Sequence, residues 1–334
     1  MRRKWILFLC IVGIVVCIGG CAARGEAKTQ TKEQTEAQTR RKKERVESEK
    51  TETEKKRMEE TARSIEMTES ESRTEETFQE ILQDGAEGME ELKVRLEAML
   101  LEYQGDWAVY VSDLKNKEYL EINNHAVKSA SLIKLYIMGA VLEQAEAGNL
   151  KDDRRMEKLL KKMITVSDNE ASNELVRMMS PDGTNHPEGM EVVNAFAQAG
   201  GYGDTSQGRD MQDVREVPVE GENYTSVRDC GHFLENVYYG TCVSAEASEK
   251  MLELLKKQKR TWKIPAGVPE GVVTANKTGE LKDTENDAAI VFSPGGDYIL
   301  CVTATELADH EKAEDEIVQL SAAVYQYMND RLRE

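Results

Sequence analysis

The eleven residues from Leu132 to Leu142, LIKLYIMGAVL, are apolar on every side of a helical wheel except at Lys134. That pattern belongs to a helix buried on all faces, not to a surface helix with one apolar stripe. Whatever this chain folds into must wrap other elements around that helix and hold a lysine inside it. Burial disfavours the charged form of a lysine, by up to several pKa units when it is complete. Ser131 stands three residues before Lys134, and residues three apart share a helix face, so the two are neighbours if the helix begins near Ser131. A desolvated amine beside a hydroxyl can take its proton and make a serine nucleophilic. Taken alone, a lysine snorkelling from a half-buried helix explains the pattern better, because one Ser-x-x-Lys arises roughly by chance in a chain of this length.

The surrounding sequence predicts an α/β (α+β) domain. Met89, Leu92, Leu96, Met99 and Tyr103 recur at helical spacing, as do Ala313, Ile317, Leu320, Val324, Tyr327 and Met328 near the other end. Trp107 to Leu114 and Glu118 to Ile122 flank Lys115-Asn116-Lys117 and read as a strand hairpin. Gly271 to Ala275, Ala288 to Phe292 and Tyr298 to Thr303 are β-rich, with Pro294-Gly295-Gly296-Asp297 as a turn. Between these ends, Ser131 to about Lys257 is mostly helical in pattern. One antiparallel sheet assembled from both ends of the domain, flanked by helices and packed beside a mostly helical second lobe, satisfies this order.

The domain occupies only part of the 334 residues. Arg2, Arg3 and Lys4 precede an apolar run that is short for a membrane span, the pattern of a signal peptide over residues 1–20. Ile18-Gly19-Gly20-Cys21 closes that run and is similar to the lipobox of bacterial lipoproteins, which implies lipidation at Cys21; an uncleaved anchor helix is the alternative. Either reading places the domain outside the cell membrane. From Arg24 to Glu76 the chain holds 14 basic and 15 acidic residues and almost no aliphatic ones, so it cannot bury enough surface to order itself. We read residues 21–76 as a tether with a reach of roughly 40 Å and residues 77–334 as the folded domain. The whole chain has a formal charge of −18, and with the first residues and the tether set aside 27 basic and 47 acidic residues remain, so the acidity belongs to the folded domain and argues against nucleic acid as a partner. Cys230, Cys242 and Cys301 fall at no metal-ligand spacing, and the four histidines are dispersed, so neither a metal nor another cofactor is expected.

Two further triplets change the weight of the serine–lysine pair. Ser167-Asp168-Asn169 follows within MITVSDNEASNELV, and Lys277-Thr278-Gly279 within TANKTGEL. Each is expected well under ~0.1 times per chain by composition, so three motifs in this order form a specific set. The set resembles the active-site motifs of class A β-lactamases and the related penicillin-binding proteins. The resemblance covers most of residues 77–334 and implies a serine acyl-enzyme hydrolase. In that family's scheme Ser131 is the acylated nucleophile and Lys134 its proton acceptor. Ser167 passes a proton to the leaving nitrogen, and Asn169 binds the substrate amide. Lys277 and Thr278 hold the substrate carboxylate next to Gly279, and the backbone N–H groups of Ser131 and Glu280 form the oxyanion hole.

One departure from the family is legible. Class A β-lactamases carry a glutamate that activates the deacylating water. Here, matching Gly208-Arg209 to the family's basic loop residue puts Met211 at that place, and a thioether cannot act as a general base. Glu216, Glu220 and Glu222 lie further along the same loop. The resemblance therefore implies β-lactam acylation with hydrolysis of uncertain speed. A DD-peptidase or transpeptidase acting on peptidoglycan stem peptides, and a sensor that acylates once and holds the adduct, are the alternatives. A monomer tethered to the outer face of the membrane is the expected form.

Overall fold

The computed structural model describes residues 88–211 and 221–330. The signal peptide, Cys21, the tether, the first residues of the expected domain and both Glu216 and Glu220 lie outside the described residues. Among those described, no helix is long and apolar enough to cross a membrane.

Helix α1 (Met89–Leu101) leads into the hairpin β1 (Asp106–Asp113) and β2 (Glu118–Ile122), as expected from the two runs that flank Lys115-Asn116-Lys117. A short β3 (Val127–Lys128) and a 3-10 turn (Ala130–Leu132) precede α2 (Ile133–Glu146). Four more elements build the helical lobe: α3 (Arg154–Thr165), α4 (Asn169–Met178), α5 (His186–Ala199) and, after β4 (Tyr224–Thr225), α6 (Val227–Tyr238). Helix α7 (Ala245–Leu255) follows, and a second 3-10 turn (Ile264–Gly267) leads back to the sheet through β5 (Val273–Leu281), β6 (Thr284–Phe292) and β7 (Tyr298–Thr305), closed by α8 (His310–Asp330).

The five-stranded sheet has the order β2-β1-β7-β6-β5, and its neighbouring strands pair antiparallel throughout. The first and last strands of the chain thus meet in the middle of the sheet, with Val109 opposite Val302, which leaves β5 as an edge. Alternate residues feed two cores, as the period of two requires. Tyr110, Ala288, Ile290, Ile299 and Cys301 join the core shared with the helical lobe. Val109, Val111, Ala289, Val291, Leu300 and Val302 join the core beneath α1 and α8. Helix α2 runs through the first core with every residue from Ile133 to Leu142 buried, Lys134 included. Cys230, Cys242 and Cys301 are buried and free.

The largest departures from the expected strand boundaries are at the facing ends of β5 and β6. Strand β5 continues past Ala275 through the Lys277-Thr278-Gly279 triplet to Leu281, and β6 begins four residues before Ala288, at Thr284. The added residues are polar, which lowers their strand signal in sequence, yet Asn276, Lys277, Thr278, Glu285, Asn286 and Asp287 are all buried. Tertiary partners take up most of their polar groups, the Thr278 hydroxyl excepted, and that context overrides propensity.

Candidate active site

Local backbone geometry brings the three motifs together. Ala130 adopts a left-handed φ of 47° and turns the chain out of β3 into the 3-10 turn that carries Ser131. Asn286 of β6 donates from Nδ2 to the carbonyls of Lys128 (3.1 Å) and Ser129 (3.4 Å), so the sheet holds that turn from below. In the second motif Ser167 has a φ of 61°, and the Asp168 carboxylate accepts from the Ala171 N–H at 2.7 Å as the N-cap of α4. The middle residue of the triplet is thus the helix cap, and its neighbours Ser167 and Asn169 are presented at the start of the helix. In the third motif Gly279 is required by contact. A Cβ there would lie 2.9 Å from the Ser129 carbonyl oxygen and 3.2 Å from the Ser131 nitrogen. Only glycine lets edge strand β5 come this close to the serine turn.

These placements open a cleft of about 460 Å³ lined by Ser131, Ser167, Asn169, Thr278 and Glu280. Lys134 is wholly buried and donates to the Ser167 carbonyl (2.7 Å), the Ser167 hydroxyl (3.2 Å) and Asn169 Oδ1 (2.6 Å). Lys277, equally buried, donates to the same Ser167 hydroxyl at 3.0 Å and to its own following carbonyl at Thr278. Two buried amines therefore converge on one hydroxyl. Burial first, then the charges of Lys134 and Arg260, push the Lys277 amine well below an ordinary lysine, against the opposing pull of Asp287 and Glu280. Thr278 Oγ1 is buried and has no hydrogen-bond partner, which leaves it open to an acceptor or donor entering the cleft.

Several residues at the site had no signal in the sequence. Arg260 lines the cleft, bonds Glu280 Oε2 at 2.6 Å and lies over the Trp262 ring. Although burial opposes it, Lys263 and Arg260 hold the Glu280 carboxyl below the usual range. Asn173, one turn after Asn169 on α4, clamps the backbone of Met211 from both sides: Nδ2 donates to its carbonyl at 2.7 Å and Oδ1 accepts from its N–H at 2.8 Å. The Met211 side chain packs in the core of the helical lobe, with Asn223 Nδ2 3.5 Å from its sulfur. Of the three loop glutamates, Glu222 is the described one; it lines the cleft and accepts from Arg209 Nε at 2.9 Å. Helical and strand periodicities carry no information about such pairings, since each partner comes from a distant segment.

Asp287 of β6 supplies a stability test. It is wholly buried and accepts from Asn276 Nδ2 (3.0 Å) and the Ile264 N–H (3.1 Å). Burial raises its carboxyl to about 6, against the nearby charges of Lys263 and Lys277. Between an unfolded value near 4 and that folded value, the folded state binds more protons, so this group's contribution to stability falls as pH rises through the window. We expect urea unfolding to show the wild type losing up to about 3 kcal/mol relative to Asp287→Asn between pH 4 and pH 7. A pH-independent difference contradicts the assignment.

Comparison with known proteins places the chain. A family model described as the beta-lactamase enzyme family matches residues 91–158 and 152–328, well over half of the chain. The protein belongs to that family. Among solved structures, a β-lactamase from Sphaerobacter thermophilus is 23% identical, with a TM-score of 0.61 over 71% of this chain and 96% of its own. An ancestral class A β-lactamase, GNCA, is 21% identical, with a TM-score of 0.63 over 71% and 99%. PBP-A is 20% identical, with a TM-score of 0.63 over 72% and 96%. The fold is therefore that of class A β-lactamases and PBP-A, as the motifs implied. No curated protein matches the chain.

Proposed function

We propose that the protein is a serine hydrolase that forms an acyl-enzyme with β-lactams through Ser131 and releases the product slowly. The observation that carries this reading is the convergence of two buried lysines on Ser167 in the cleft that Ser131 lines. In the proposed step Lys134 accepts the Ser131 proton while Oγ attacks the lactam carbonyl carbon. The resulting oxyanion is held by the N–H groups of Ser131 and Glu280. Collapse breaks the carbon–nitrogen bond, and Ser167, resupplied by its two amine neighbours, delivers a proton to the departing nitrogen. Lys277, Thr278 and Arg260 supply the cationic and hydroxyl groups that a substrate carboxylate needs. A carboxylate beside Lys277 would restore the charged form that burial now disfavours. Water then hydrolyses the ester.

Met211 favours a second reading at the same serine, cleavage or transfer of D-Ala-D-Ala stem peptides. Stopped-flow and intact-mass measurements with a chromogenic cephalosporin and, separately, a D-Ala-D-Ala peptide decide between them. Turnover of the peptide with a persistent β-lactam adduct assigns the peptidase, and β-lactam turnover alone assigns the lactamase. A persistent β-lactam adduct with no peptide turnover assigns the sensor.

The lipobox-like Ile18-Gly19-Gly20-Cys21 supports anchoring to the outer face of the membrane. Labelled palmitate is expected to enter the wild type and not Cys21→Ser. Labelling retained in the variant removes the lipoprotein reading and leaves the anchor helix.

A further inference from the structure

Lys263 is a fully buried cation that the proposed chemistry leaves unused. It stands just before the second 3-10 turn, and its Nζ lies 2.5 Å from Glu285 Oε2 and 3.6 Å from Glu280 Oε1. It also donates to two backbone carbonyls, those of Asn286 (3.2 Å) and Gly279 (3.4 Å). The second contact joins this buried cation to the cleft. The Gly279 carbonyl and the Glu280 N–H belong to one peptide group, and among the described residues every peptide bond is trans. In a planar trans peptide the C=O and N–H point in opposite directions. With the carbonyl aimed at Lys263, the Glu280 N–H points away from it. It leaves from the free edge of the sheet, beside the serine turn that Gly279 approaches so closely.

We propose that Lys263 polarises the Gly279–Glu280 peptide and so strengthens the N–H that receives the oxyanion at Ser131. An ammonium bonded to a carbonyl oxygen draws density from the amide nitrogen and makes its N–H a better donor, and linked hydrogen bonds of this kind reinforce one another in a low-dielectric interior. Lys263 does not touch the reacting atoms, so it is a positioning residue. Its carboxylate neighbours, Glu285 and Glu280, offset the cost of burying its charge. His310 Nδ1, 2.8 Å from Glu285 Oε1, joins the same cluster from α8. A purely structural account, in which Lys263 only balances these acids, predicts no effect on the strength of the oxyanion donor.

This inference rests on the acyl-enzyme reading, and the test separates the two. Lys263→Met combined with Glu285→Gln removes a cation and an anion together, and Lys263→Gln alone serves as a second variant. For each folded variant, intact mass confirms the β-lactam adduct, stopped-flow gives the acylation rate, and infrared difference spectroscopy gives the stretching frequency of the acyl ester carbonyl. We expect acylation to slow about 10-fold, a fraction of the effect of losing a whole donor, and the carbonyl band to move to higher wavenumber as its hydrogen bond weakens. An adduct formed at the wild-type rate with an unshifted band overturns the role of Lys263 alone. No adduct in the wild-type protein overturns the acyl-enzyme reading, and this inference with it.

Discussion

Ser131→Ala is expected to lose all covalent labelling by a fluorescent penicillin, while the wild type gains the mass of one β-lactam per chain. The side chain removed is small and partly exposed to the cleft, and among the described residues no hydrogen bond of the fold runs through its hydroxyl, so circular dichroism and melting temperature should stay near wild type. Labelling that persists in the variant moves the nucleophile elsewhere; Ser167, the other serine of the cleft, is the first candidate. Lys134→Ala tests the amine in the same assay. Its loss should slow acylation by about 10²-fold or more, the usual scale for a missing general base. The variant also strips Ser167 and Asn169 of their shared donor, so a folded control is needed. Lys134→Met keeps the volume and apolar stem and serves that purpose. A rate near wild type in Lys134→Met returns Lys134 to a structural role.

What the sequence disclosed, and what it hid, follows from how far each signal reaches along the chain. The buried helix was legible because eleven consecutive residues obey one rule, and the structure buries nearly all of them fully. The β1–β2 hairpin and the terminal helices were legible by short-range period, and the antiparallel sheet joining both ends followed from element order. The polar halves of β5 and β6 were not, since Asn276, Glu285, Asn286 and Asp287 look like loop residues until their partners in other segments are known. The motifs named Ser131, Lys134, Ser167 and Lys277, but not why they meet. The meeting depends on a cap at Asp168, a left-handed Ala130, an absent side chain at Gly279 and the grip of Asn286 on the serine turn. Arg260 and Lys263 sit in QKRTWKIPAG, a stretch without period, and acquire meaning only beside Glu280 and Glu285.

Exposure to a β-lactam should give a burst near one product equivalent per chain, followed by a much slower steady phase. The reason is local to Met211. Its backbone is fixed by both ends of the Asn173 amide, and its side chain is a buried thioether that can neither accept a proton from water nor hold that water as a carboxylate would. Acylation needs only the lysines and Ser167, whereas deacylation needs a base for the incoming water, so the two steps should separate widely in rate. Met211→Glu introduces a carboxylate on the same clamped backbone, with Asn223 Nδ2 already positioned to donate to it. We expect the steady rate to rise by at least about 10-fold, the lower range for a general base, with little change in the burst amplitude. The wild-type measurement is the sharper test. Rapid multi-turnover hydrolysis with no accumulating adduct defeats the argument from Met211 and transfers the base to another loop carboxylate. Glu222, which lines the cleft, is the described candidate, and loss of that turnover in Glu222→Gln would identify it.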